Sequence, residues 1–291
     1  MISIDESLIS GLMPERSDTG HKGTFGTAVI VAGSPEMTGA QVLCTHAALR
    51  SGAGIVRIYA PAESLISSRV NLPSAVISVF PGTVSETVRL ERSRMKKSFS
   101  YAIGPGIDPL DPRMQAMLQF LIEEAGHLVI DATALRMIAS ERSYWIPLLE
   151  KRAEDGLEPA VLTPHTGELS DLTGVPVSDK EGLIAAASKL PAVVVCKTGA
   201  QTYVINGDDE PYSLNAPNSG LGKGGSGDVL TGLITGLSAQ GLNATDAAAA
   251  GVYLHSEAGA AAASRYGKRF MQPTDVINCL QYVYEGLENG K

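Results

Sequence analysis

The chain has 291 residues, 44% of them hydrophobic and 19% charged, with a formal net charge of −8. That length suits one large α/β domain, and the acidic balance argues against DNA, RNA or an anionic membrane surface as main partner. There is no run of 18 apolar residues, residues 1–5 do not form a signal core, and Cys44, Cys196 and Cys279 show neither metal nor disulfide spacing; these features predict a cytoplasmic protein without a membrane span.

Short β-branched runs alternate with helical periodicity along the chain. Strands are predicted over 28–32, 55–60, 75–80, 101–104, 128–131, 160–163 and 193–197. Helices are predicted over 38–52, 62–70, 84–97, 111–125, 143–153, 178–189, 226–240, 243–264 and 274–287. Apolar strands alternating with longer helices make βαβ units. The expected fold is therefore α/β, a central, mostly parallel sheet with helices on both faces. Segments 201–206 and 210–214, joined through Gly207-Asp208-Asp209, read as a small antiparallel hairpin added near the sheet edge. No linker or repeat divides the chain, so 1–291 is read as a single domain. The Ala-rich stretch 244–263 reads as closely packed helix, within the chain or between subunits, and suggests a homo-oligomer, a dimer or tetramer.

Ligands of such sheets gather beyond the C-terminal ends of the strands. The segment 220–228, Gly-Leu-Gly-Lys-Gly-Gly-Ser-Gly-Asp, places five glycines within eight residues just ahead of an apolar helical stripe, Val229, Leu230, Leu233, Ile234 and Leu237. Glycines let backbone N–H groups converge on an anion, and a helix start adds free amides and partial positive charge. The amides of Gly224, Gly225, Ser226 and Gly227 are the candidate phosphoryl cradle, with Lys223 in the same loop, and Asp228 the candidate general base. The plain alternative is a tight turn with Ser226 or Asp228 as a helix cap. In the loop 163–168, His165 is a candidate substrate contact, and Glu168 either caps the following helix or holds Mg²⁺. Lys197 ends an apolar strand; with Thr198, Gly199, Ala200 and Gln201 it is a candidate nucleotide contact, the alternative being a solvated lysine and a bare turn. Gly104-Pro105-Gly106 is a rigid turn exposing backbone. His46, His127 and His255 read as structural or solvated. The P-loop spacing is absent because Gly224 follows Lys223, and no nucleophile elbow is present.

Six motifs carry a resemblance: Lys22-Gly23 with Gly26, Met37-Thr-Gly-Ala40, the stretch from Ala47 to Gly54, Gly104-Pro-Gly106, the loop from Leu162 to Glu168, and Lys223 to Gly232. Their order resembles the ribokinase-like superfamily and, within it, the ADP-dependent NAD(P)H-hydrate dehydratases, from about His21 to Asn278. The resemblance implies a ribokinase-like fold and dehydration of the S form of hydrated NADH or NADPH, with ADP (or ATP) as phosphoryl donor, Mg²⁺ on the phosphates, and AMP and phosphate as products. It also implies that Ala40, Gly106, His165 and Asp228 contact the hydrated cofactor, and Lys197 to Gln201 and Gly227 the adenine nucleotide. No epimerase domain is read in the chain, so a separate NAD(P)H-hydrate epimerase is the expected functional partner. The chain departs from the family pattern at Thr133, where a second aspartate is usual, at Thr166, where proline is usual, and in a turn after Lys197 one residue longer than in several relatives. Two other readings remain: a kinase of the same superfamily for a vitamin-precursor alcohol, and a nucleotide-binding regulator without turnover.

Overall fold

The computed structural model describes residues 1–289. Ten strands, β1 (Ile2–Ser3), β2 (Thr27–Val31), β3 (Ile55–Ala60), β4 (Val76–Val79), β5 (Phe99–Ile103), β6 (His127–Ile130), β7 (Val161–Leu162), β8 (Val193–Lys197), β9 (Gln201–Asn206) and β10 (Tyr212–Asn215), form one sheet. Their order is β1-β10-β9-β8-β7-β6-β5-β2-β3-β4. Only β9 is antiparallel to its neighbours. The helices are α1 (Glu6–Leu12), α2 (Thr38–Arg50), α3 (Leu65–Asn71), α4 (Val84–Arg94), α5 (Pro112–Glu124), α6 (Ala132–Ser140), α7 (Arg142–Glu154), α8 (Thr166–Thr173), α9 (Lys180–Ala187), α10 (Ser226–Ala239), α11 (Ala244–Tyr266) and α12 (Pro273–Asn289).

Successive residues of a strand point to opposite faces, and here both faces are buried. Ala28, Ile30, Val129, Val193 and Val195 join one core with α1, α2, α10, α11 and α12. Val29, Val31, Ile130, Val194 and Cys196 join the other with α5 to α9. The predicted α/β sandwich is therefore present. The hairpin is also present, but β9 pairs with β8 as well as β10, and β1 forms the edge beyond β10. The alanines expected to mediate helix or subunit contact pack inside the chain, Ala247 to Ala250 lying in one core with Leu233 and Ile234 of α10 and Ile277 and Leu280 of α12.

Helix α10 is pressed onto α2. A side chain at Gly232 would meet the Cys44 carbonyl oxygen at 2.1 Å, so only glycine permits this approach. The contact fixes the start of α10 above the sheet.

Arg152 of α7 is 1% exposed and has no carboxylate partner among the described residues. Its guanidinium instead donates to the carbonyls of Leu121 (3.3 Å), Ile122 (3.1 Å), Gly126 (3.0 Å) and Glu158 (2.7 Å). The first two are carbonyls of the last turn of α5, where Leu121 also accepts from the Ala125 amide at 3.0 Å, and the cation faces the negative end of that helix. Arg152→Met keeps the length of the side chain but strands these acceptors. It should cost about 3–5 kcal/mol, seen as a lowered urea midpoint at unchanged slope.

Candidate active site

A cavity of about 610 Å³ opens at the C-terminal ends of β6, β7 and β8 and is roofed by the start of α10. It gathers His165, Glu168, Lys197, Gly199, Gly224, Gly225, Ser226, Gly227 and Asp228 from the sequence reading. Asp131, Arg136, Asn218 and His255 line it as well. Thr198, Ala200 and Gln201 do not. They close the β8–β9 turn, where the Thr198 amide donates to the Gln201 carbonyl at 2.9 Å. Ala40 and Gly106 lie outside this cavity but against one another. A Cβ at Gly106, whose φ is +65°, would sit 2.8 Å from that of Ala40. A larger cavity, about 750 Å³, lies at the opposite end of the sheet and contains none of these residues.

Helix α10 begins at Ser226 behind Gly225, which has φ +93° and gives no side-chain cap. Its first-turn amides are therefore unclaimed by any side chain, which is the condition for anion binding. Lys223 does not point its charge at this cradle in the way its place in the loop suggests. Its Nζ donates to the carbonyls of Arg269 (2.8 Å) and Met271 (2.5 Å), tying the loop to the segment before α12.

Asp228 lies in the first turn of α10. Burial, and then the charge of Asp131, push its carboxyl up to about 7. Asp131 is buried at the end of β6, where Thr231 Oγ1 of α10 donates to its Oδ2 at 2.7 Å. Ala132, next along, adopts φ +47°, a left-handed conformation that strains a residue with a Cβ. Burial lowers the Lys197 ammonium, opposed by Asp131 and Glu168.

His165 and Glu168 form a reciprocal cap on α8. The Glu168 amide donates to His165 Nδ1 at 3.1 Å, and the His165 amide donates to Glu168 Oε2 at 3.1 Å. Because Nδ1 accepts, the neutral ring carries its proton on Nε2. Glu168 Oε1 faces Arg136 Nε at 3.4 Å and His165 Nε2 at 3.4 Å. Among the described residues no three His, Cys, Asp or Glu side chains cluster closely enough to hold a metal ion.

The sequence profile of the NAD(P)H-hydrate dehydratases matches residues 28–282. The chain belongs to the NAD(P)H-hydrate dehydratase family. It is 32% identical over 259 residues to the ADP-dependent (S)-NAD(P)H-hydrate dehydratase of Bacillus subtilis, covering 86% of each chain. It is 33% identical over 285 residues to the bifunctional NAD(P)H-hydrate repair enzyme of Moorella thermoacetica; the match takes in 95% of this chain but only 52%, about half, of that protein. The crystal structure of the B. subtilis ADP/ATP-dependent NAD(P)H-hydrate dehydratase, co-crystallized with ATP/Mg²⁺, superposes with a TM-score of 0.79 at 28% identity over 98% of both chains. These likenesses bear out the ribokinase-like fold.

His255 of α11, which the sequence places as structural or solvated, is buried at the cavity wall with its Nε2 3.1 Å from Ser226 Oγ. Burial and the neighbouring Lys197 push its ring down to about 3, so it stays neutral. Nothing in the local sequence marks it, because its partner is 29 residues away.

Proposed function

We propose that this chain dehydrates the S form of hydrated NADH and NADPH at the expense of ADP, releasing AMP and phosphate. The observation that carries this reading is Asp228, held in the first turn of an uncapped helix in a cavity shared with Lys197 and His165. Asp228 removes the proton from the ring hydroxyl as its oxygen attacks the β-phosphorus of ADP and the bond to AMP breaks. The amides of Gly224, Gly225 and Gly227 hold the migrating phosphoryl, while that of Ser226 is turned to the Lys223 carbonyl at 3.2 Å. The C–O bond to phosphate then breaks, the adjacent ring carbon loses a proton, and the double bond returns. His165, with the adjoining Ala40–Gly106 contact, is on the dinucleotide side; Lys197, Gly199 and Gly227 are on the nucleotide side, with Thr198, Ala200 and Gln201 closing the turn that holds Gly199.

Magnesium enters on the nucleotide phosphates as part of the co-substrate, since the residues lining the cavity form no cluster of their own for it. We give Glu168 to the α8 cap and Arg136 rather than to a metal, because both its carboxylate oxygens are engaged. In this reading the protein works in the cytoplasm and an epimerase supplies it with the S form; the alanines that suggested a homo-oligomer are spent on packing within the chain. Among the described residues no helix is long and apolar enough to cross a membrane.

Hydrated NADH incubated with the protein, ADP and Mg²⁺ should regain absorbance at the reduced-nicotinamide band. No recovery with either ADP or ATP would end the dehydratase reading. A stable phosphorylated product from a pyrimidine or thiazole alcohol would instead mark a kinase.

A further inference from the structure

Among the described residues three cations line the cavity: Arg136, Lys197 and Lys223. Lys223 Nζ is committed to the carbonyls of Arg269 and Met271. Lys197 makes no ion pair there; it ends β8, and burial lowers its ammonium. Arg136 differs from both. It stands on α6, five residues beyond Asp131, with its side chain 62% exposed. Its Nε rests on Glu168, a carboxylate only 5% exposed that is itself fixed by the His165 amide. Among the described residues nothing receives a hydrogen bond from its Nη1 or Nη2.

An arginine held by Nε on a rigid carboxylate keeps its planar fork ordered, with the four N–H groups of its two Nη nitrogens left over. A solvated surface pair would look similar at Nε, but would not line the mouth of a cavity. This cavity also presents three carboxylates, Asp131, Glu168 and Asp228, to substrates that are themselves polyanions. Without a free cation at the rim, approach would be electrostatically opposed.

We propose that Arg136 is a specificity-determining residue that grips a phosphate group of an incoming substrate through its Nη pair, beside His165. The proposal rests on the dehydratase reading for which substrates arrive. The phosphate belongs to the nucleotide, to the dinucleotide pyrophosphate, or to the 2′-phosphate of the NADP form. All three are met by the same fork chemistry.

Direct binding separates these sources and needs no turnover. The affinities of wild type, Arg136→Gln and Arg136→Lys for ADP, NADH and NADPH are measured by calorimetry at low and high salt. Arg136→Gln should weaken at least one ligand roughly tenfold or more at low salt and flatten its salt dependence, with Arg136→Lys intermediate. Loss confined to ADP marks the nucleotide phosphate, loss of both dinucleotides the pyrophosphate, and loss of NADPH alone the 2′-phosphate. Unchanged affinity for all three ligands in a folded Arg136→Gln protein overturns the proposal, as does a wild type that binds none of them. A wild type that binds but restores no NADH defeats the dehydratase reading while leaving the arginine's role intact.

Discussion

Asp228→Asn will fold, bind nucleotide and lose roughly 10²- to 10⁴-fold in kcat. The substitution keeps the size and a hydrogen-bonding oxygen but removes the only function that needs a negative charge beside a phosphate cradle. Asp228 makes no side-chain cap on α10, so asparagine leaves the helix start as it is. Rate loss at unchanged nucleotide affinity therefore isolates the base. Activity retained to within a factor of a few would end the base assignment.

The pH behaviour of the same side chain has two faces. The base works only when ionised, and its carboxyl is pushed up to about 7. Activity should rise with pH through that value, and Asp131→Asn, which removes the charge that adds to the effect of burial, should move the limb downward. Stability runs the other way. From the ordinary value of 3.8 up to about 7 the folded protein holds a proton that the unfolded chain has released, so stability falls as pH rises through this window. Asp228→Asn escapes that penalty. It should be the more stable protein at pH 8 by about 1–3 kcal/mol, after discounting for partial solvent contact, with the difference vanishing near pH 4. Melting curves of both proteins at the two pH values read this directly.

Strands buried on both faces write themselves as unbroken apolar runs, which is why β8, Val-Val-Val-Cys-Lys, was legible within its observed bounds. The two residues of β1 carry no period at all. Helix α1 carries one sequence signal, Asp5, which accepts from the Leu8 amide at 2.9 Å as a cap. Helix α6 falls outside the predicted helices because it begins directly behind Asp131, with no connecting turn after β6 and no side-chain cap. The glycine cradle and Asp228 are contiguous and could be found by eye. The groups around them could not. The Asp131–Thr231 bond joins residues 100 apart, and Arg136 meets Glu168 across 32. Lys223 was visible as a cation, but its two carbonyl partners, Arg269 and Met271, lie more than 40 residues on. Such pairings follow from sheet order, which local periodicity does not specify.

Gly104→Ala should be far more damaging than its size suggests. Gly104 has φ +130°, a conformation L residues avoid, and a Cβ there would lie 1.8 Å from the Asp131 carbonyl oxygen. That oxygen accepts from the Ala134 amide at 3.1 Å and starts α6, while the Asp131 amide donates to Ile103 at 3.1 Å. Backbone held at both ends cannot yield cheaply, so strain and overlap add to about 3 kcal/mol or more. The melting temperature should fall by roughly 6–12 °C. Gly241→Ala is the control, because its φ is +102° but nothing lies within 4 Å of the added carbon. It should cost only the backbone strain, about 1 kcal/mol. At a temperature where both variants are folded, Gly104→Ala should also lose activity, since shifting Asp131 moves the carboxylate that Thr231 holds beside Asp228, while Gly241→Ala should turn over normally. Equal stability in the two variants would mean that the β6 end gives way freely, and that Asp131 is not the fixed neighbour on which the basicity of Asp228 depends.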